Sequence, residues 1–147
     1  MAGVFDNPVL PYFAFYATMV VLKTMAMSFV TTFHRRTKGV FANPEDVGIA
    51  PGKGKIATDE SVERVRRCHL NDLENVIPFV LVGLLYTASG PSLSSALLHF
   101  RIFTGARIFH TIAYLFALPQ PSRGLSFLVG YLATLSMAYN VLSSAKY

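Results

Sequence analysis

A chain of 147 residues has room for one domain and little else. Hydrophobic residues make up 52% of it and charged residues only 14%, against roughly 25% charged in an average soluble domain, so lipid suits it better than water. The net charge of +5 does not mark a nucleic-acid binder, because long apolar stretches separate the basic residues, and one cysteine, Cys68, excludes an internal disulfide or a cysteine-rich metal site.

The first apolar run extends from Pro8 to Phe33 and is broken only by Lys23. About 20 apolar residues cross a hydrocarbon core, so this run is expected to span, with tilt. No charged segment or small-residue cleavage site precedes it, which predicts an uncleaved anchor. A polar stretch follows, with turn signals at Asn43-Pro44-Glu45-Asp46 and Pro51-Gly52-Lys53-Gly54-Lys55. Thr58, Asp59 and the acids Glu60 and Glu63 predict the start of a second helix. It begins polar and turns apolar from Val76, so its charged turns continue the same rod. Ser89-Gly90-Pro91-Ser92 is a turn, and the third helix carries His99, Arg101, Arg107 and His110 in an otherwise apolar run. Pro119-Gln120-Pro121 ends it. A fourth helix rich in Gly, Ala and Ser follows, small residues that let membrane helices approach closely. The expected fold is all-α, a four-helix integral membrane bundle with spans at about 8–34, 62–89, 93–118 and 123–144 and a cytosolic loop at about 35–61. No strand is expected.

Orientation follows from the Lys and Arg residues. Between the first two spans and in the opening turns of the second lie Arg35, Arg36, Lys38, Lys53, Lys55, Arg64, Arg66 and Arg67; the third loop has Arg123, the C-terminal tail Lys146, and the second loop and N-terminal tail none. The positive-inside rule puts the first and third loops in the cytosol and both termini in the lumen.

Ionisable groups at membrane depth are costly unless paired or hydrated. On the second helix Arg64, Arg67, Asn71 and Glu74 recur on one face, and on the third so do His99, Phe103, Arg107, His110 and Tyr114. Pro78 cannot donate to the Glu74 carbonyl, which leaves that oxygen free. Two facing polar stripes describe a buried pocket. One reading makes Arg64, Arg67, Arg107 and Glu74 a structural ion-pair network. The other takes the excess of Arg over acid as the sign of an anionic ligand, and that excess favours a site. Adjacent helix residues point about 100° apart, so Cys68 and His69 are not a catalytic dyad, and Cys68 is expected to be an inert thiol. His99 and His110 lack a carboxylate at metal-ligand spacing, so no metal is expected.

The run VERVRRCHLNDLEN from Val62 to Asn75 resembles the membrane-associated proteins in eicosanoid and glutathione metabolism. FANPED from Phe41 to Asp46 is similar to a loop signature of that family. His99-Phe100-Arg101, the run GARIFHTIAYL from Gly105 to Leu115, Leu118-Pro119-Gln120-Pro121 and LSMAY from Leu135 to Tyr139 extend the likeness towards the C-terminus. The resemblance implies a homotrimer, glutathione bound between subunits near the cytosolic side, and lipophilic electrophiles and lipid hydroperoxides arriving through membrane lipid. It implies an endoplasmic reticulum membrane, with the mitochondrial outer membrane as a further location. Carried over by position, the glutathione contacts are Arg35, Arg66, Arg67, His69, Asn71, Glu74, His110 and Tyr114, with Arg123 as the catalytic residue. Arg66 and His69 lie off the stripe; a site between subunits would use both faces of the helix.

The family's prostaglandin synthases carry Arg where this chain has Leu70, and Ser and Tyr where it has Gly124 and Phe127. Those departures favour a general glutathione transferase, with peroxidase activity, over a prostaglandin isomerase. Val47 stands where the family's transferases carry Cys, so the resemblance does not carry over regulation through that loop thiol. Glutathione is a net anion whose thiol, near pKa ~8.5, is mostly protonated at neutral pH. An Arg beside the sulfur stabilises the attacking thiolate, Glu74 suits the ammonium, and the other Arg residues suit the carboxylates. The alternatives are a lipid-binding scaffold, which retention of the Arg set argues against, and a small transporter, which would show inverted repeats.

Overall fold

Asn7 starts the first helix and also ties it down. Its Oδ1 accepts from the Val9 amide at 2.9 Å, and its Nδ2 donates to the Thr87 carbonyl at 2.7 Å, where another helix ends. From there α1 (Leu10–Lys38) runs past the apolar segment through the basic turn Arg35–Lys38, and stops at Gly39, whose φ of 62° is the left-handed conformation glycine adopts without penalty. This computed structural model describes residues 7–49, 52 and 54–144. Pro51 of the expected turn, and Lys53 and Lys146 of the charge count, lie outside the described residues.

Beyond Gly39 the structure departs from the expectation of no strands. Val40–Phe41 (β1) pairs in parallel with Lys55–Ile56 (β2), a two-residue ladder around a 3-10 helix at Pro44–Ile49. Val40 and Phe41 are buried, which fastens the loop to the end of the bundle. Asp59 caps α2 (Glu60–Ala88) by accepting from the Ser61 amide at 2.9 Å. The Ser61 hydroxyl also donates to that carboxylate, and together these bonds hold the Asp59 pKa below its usual value. As expected, α2 is one rod, and it continues through Pro78.

Ser92 caps α3 (Leu93–Leu115). This helix stops three residues before the expected Leu118. Ala117, at φ 52°, takes the left-handed position after the end, and the Leu118 amide returns to the Ala113 carbonyl at 3.0 Å. Next, α4 (Ser122–Ser144) begins one residue ahead of the expected 123, with Arg123 in its first turn.

The four helices form one bundle, α1 against α2 and α3 against α4. Its core is aromatic: Phe79 stacks on Phe103 at 3.8 Å, and Phe13 lies 5.4 Å from Phe100. The exterior is equally apolar, with Phe15, Leu22, Phe29, Leu81, Leu98 and Leu132 exposed. Such side chains face outward where the solvent is hydrocarbon. By length and composition α1, α2 and α4 can each cross a membrane. The chain is an all-helical membrane protein.

Candidate functional site

The polar residues at membrane depth sort into a sealed network inside the bundle and an open, cationic region around the first turns of α2. The sealed network is Lys23–Asp72–Arg107. Asp72 Oδ1 accepts from Lys23 Nζ at 2.5 Å and from Arg107 Nη2 at 2.7 Å, so one carboxylate ties α1, α2 and α3 together. Asp72 and Arg107 are both 0% exposed.

This corrects both readings of the polar stripes. Arg107 is a buried ion-pair partner and not a residue left free for an anionic ligand, and its acid is Asp72 and not Glu74, which is exposed. The α2 stripe of Arg64, Arg67, Asn71 and Glu74 does not line the bundle's interior; only Asn71 reaches it, accepting from Arg107 Nη2 at 2.8 Å. Asp72 was legible in principle. It falls in register with Val65, Cys68, Val76 and Phe79, the buried face of α2, and Lys23 needs an acid within reach. His99 is also structural. Its two ring nitrogens contact the Ser95 carbonyl at 2.7 Å and Ser136 Oγ at 2.9 Å, bridging α3 to α4. Cys68 is fully buried, so it is no accessible nucleophile.

The open region holds the remaining candidates. Arg64 and Arg67 share Glu60, at 3.6 and 2.6 Å, and Arg66 meets both oxygens of Glu63 at 2.9 and 3.0 Å. The presumed excess of Arg is therefore partly matched within α2. Arg35 and Arg123, however, have no acid at ion-pair distance among the described residues, so the positive excess persists at this end.

Two separate groups form on the exposed arc of α2. On its α1 side, Arg66, His69, Leu70 and Leu73 face Ser28 and Thr31 across a hollow of about 340 Å³. A second hollow of about 450 Å³ shares Arg66 and includes Arg35, Phe41 and Glu63. On the α3 side, the Arg123 guanidinium lies 4.7 Å over the Tyr114 ring, and Tyr114 packs 5.5 Å from His110. Tyr114 also packs against the cluster of Met27, Val65 and Cys68, which sets it beside the turn of α2 that carries Arg67. His110 is 3% exposed, and its Nδ1 has no partner among the described residues. One chain thus brings Arg67, His110, Tyr114 and Arg123 together, and separately Arg35, Arg66 and His69. Asn71 and Glu74 continue the Arg67 face. No group of metal-ligating side chains occurs among the described residues.

The MAPEG family model matches residues 13–143, which takes in all four helices and both groups. The chain belongs to the MAPEG family. Within it, the chain is 61% identical over 146 residues to microsomal glutathione S-transferase 1 of Mus musculus, covering 97% of this chain and 94% of that protein. Against microsomal glutathione S-transferase 1 of Homo sapiens it is 60% identical over 152 residues, covering 100% and 97%. Prostaglandin E synthase of Homo sapiens, a more distant MAPEG relative, is 37% identical over 142 residues, covering 97% and 93%. Leu70, where the prostaglandin synthases were expected to differ, is 57% exposed and lines the hollow beside Arg66. A difference at this position falls on that hollow and not in the core.

Proposed function

We propose that this chain is a membrane-bound glutathione transferase that conjugates glutathione to lipophilic electrophiles and reduces lipid hydroperoxides. The observation that carries this reading is the grouping of His110, Tyr114 and Arg123 at one end of an apolar bundle, beside the turn of α2 that carries Arg67. The relatives named above for glutathione transfer supply the class of ligand. Glutathione's carboxylates pair with the Arg side chains and its ammonium with Glu74. Arg123, in the first turn of α4 and over the Tyr114 ring, holds the thiolate where the helix dipole adds to its charge. The thiol proton passes to water before attack, the cation of Arg123 stabilising the thiolate left behind. The sulfur lone pair then forms the new bond to the electrophile as its leaving group departs.

The two groups lie on different edges of the exposed arc of α2, so one chain does not close them around a single ligand. A neighbouring chain supplies the missing edge, and the homotrimer implied by the family resemblance meets that need. All four helices span the membrane in this reading, with the loop of β1 and β2 in the cytosol, both termini in the lumen and residence in the endoplasmic reticulum and outer mitochondrial membranes. Leu70 in place of an Arg favours the general transferase over the prostaglandin isomerase.

Purified protein in detergent or lipid discs, assayed with glutathione against a panel of lipophilic electrophiles and lipid hydroperoxides, tests the activity. Glutathione-dependent turnover of several electrophiles is expected. Absence of turnover across the panel, with glutathione bound, would overturn it.

A further inference from the structure

Arg107 passes its side chain against Gly130 of α4, where a Cβ would come within 3.5 Å of Arg107 Cδ. At its tip, only Nη2 finds acceptors among the described residues, and it finds two: Asn71 Oδ1 at 2.8 Å and Asp72 Oδ1 at 2.7 Å. One Nη2 carries two hydrogens, so neighbouring residues of α2 take one each. Lys23, donating to the same Asp72 Oδ1 at 2.5 Å and to Thr111 Oγ1 at 2.8 Å, gives the carboxylate a second anchor.

The consequence falls on Asn71. The two ends of a carboxamide match in shape and differ in hydrogen bonding. Against an Arg N–H only the oxygen fits, because the flipped amide would set donor against donor. Asn71 is half-buried, and nothing among the described residues accepts from its Nδ2. That NH2 group therefore faces out of the bundle, on the stretch of α2 between the cation of Arg67 and the acid of Glu74.

We propose that Asp72 and Arg107 are positioning residues for glutathione: they lock the Asn71 carboxamide so that it presents two N–H donors to an acceptor oxygen of the tripeptide, a carboxylate or an amide carbonyl. This rests on the reading of Asn71 as a glutathione contact and adds its direction. A buried ion pair is a poor source of stability compared with well-packed apolar groups, and here it has a second task in orienting an amide at the edge of the site.

The experiment is a glutathione titration of the full-length protein in lipid discs, with oligomeric state and thermal midpoint measured alongside. Asn71→Ala should weaken binding about tenfold, the loss of a hydrogen bond to a charged group. Wild-type affinity would remove Asn71 from the site and the proposal with it, leaving the Arg123 chemistry standing. Arg107→Lys keeps a buried cation beside Asp72 without the planar fork. It should weaken binding about tenfold in the wild-type background and no further in the Asn71→Ala background. Equal losses in both backgrounds, or no loss in either, would show that Arg107 does not act through Asn71. Asn71→Asp keeps the inward oxygen on Arg107 and turns a second oxygen outward, so it stands as a test even if Arg107→Lys fails to assemble. Assembly and midpoint should be retained while affinity falls by more than about tenfold; undiminished affinity would overturn the proposal.

Discussion

Glu74 and Asp72 sit two residues apart on α2, one exposed and the other sealed against two cations. Their neutral variants should therefore fail differently. Glu74→Gln removes no ion pair within the chain, and exposed substitutions of this kind usually stay within about 0.5 kcal/mol. Its thermal midpoint should hold while glutathione affinity falls about tenfold, as expected for a lost charge-assisted bond to the ammonium. Asp72→Asn leaves Lys23 and Arg107 facing each other without a counter-charge, and breaking a buried pair costs about 3–5 kcal/mol. Thermal melts and glutathione titrations on both variants check this; a destabilised Glu74→Gln with intact affinity would return Glu74 to a structural role. The contrast was missed because the search followed the polar face of α2, and Asp72 lies off it. Helical register placed Asp72 on the apolar face, where a carboxylate is unexpected until Lys23 and Arg107 converge on it.

Among the elements, helices were legible because apolar length and caps act locally. The starts of α2 and α3 follow from Asp59 and Ser92, and the break before α4 from its prolines. Tertiary details were not. The β1–β2 ladder is two residues long and held by a non-local pairing, and α3 ends on Ala117 in a left-handed conformation where no glycine signals it. At Gly83 of α2 a Cβ would lie 2.5 Å from Phe13 Cε2. Alanine is the better helix former by about 1 kcal/mol. Phe13, though, is wedged among Phe79 at 6.2 Å and Phe100 at 5.4 Å, so its ring has little room to yield. Overpacking costs about 1–3 kcal/mol, and Gly83→Ala should lower the thermal midpoint. A raised midpoint would mean that α1 and α2 can part without loss.

At the scale of the whole molecule, the membrane character was plain from composition, and register already set Arg66 and His69 off the Arg67 stripe, whereas what stands opposite each edge of α2 was not legible. Spacing along one helix tells which residues share a face, and not which chain stands opposite. The positive-inside rule orients the bundle: tags in the β1–β2 loop of sealed microsomes should be open to a cytosolic protease and tags at either terminus protected. Cytosolic access to the N-terminus would reverse the topology. In the proposed chemistry the thiolate is held by Arg123, which lies in the first turn of α4 and over the Tyr114 ring. The decisive measurement is ultraviolet difference absorbance of bound glutathione across pH, on wild type and Arg123→Leu. Wild type should show thiolate well below the ordinary thiol pKa of about 8.5. Arg123→Leu should assemble and bind glutathione yet form thiolate only at higher pH. Bound glutathione that stays a thiol at neutral pH in the wild type, or titrates alike in the two proteins, would contradict the account.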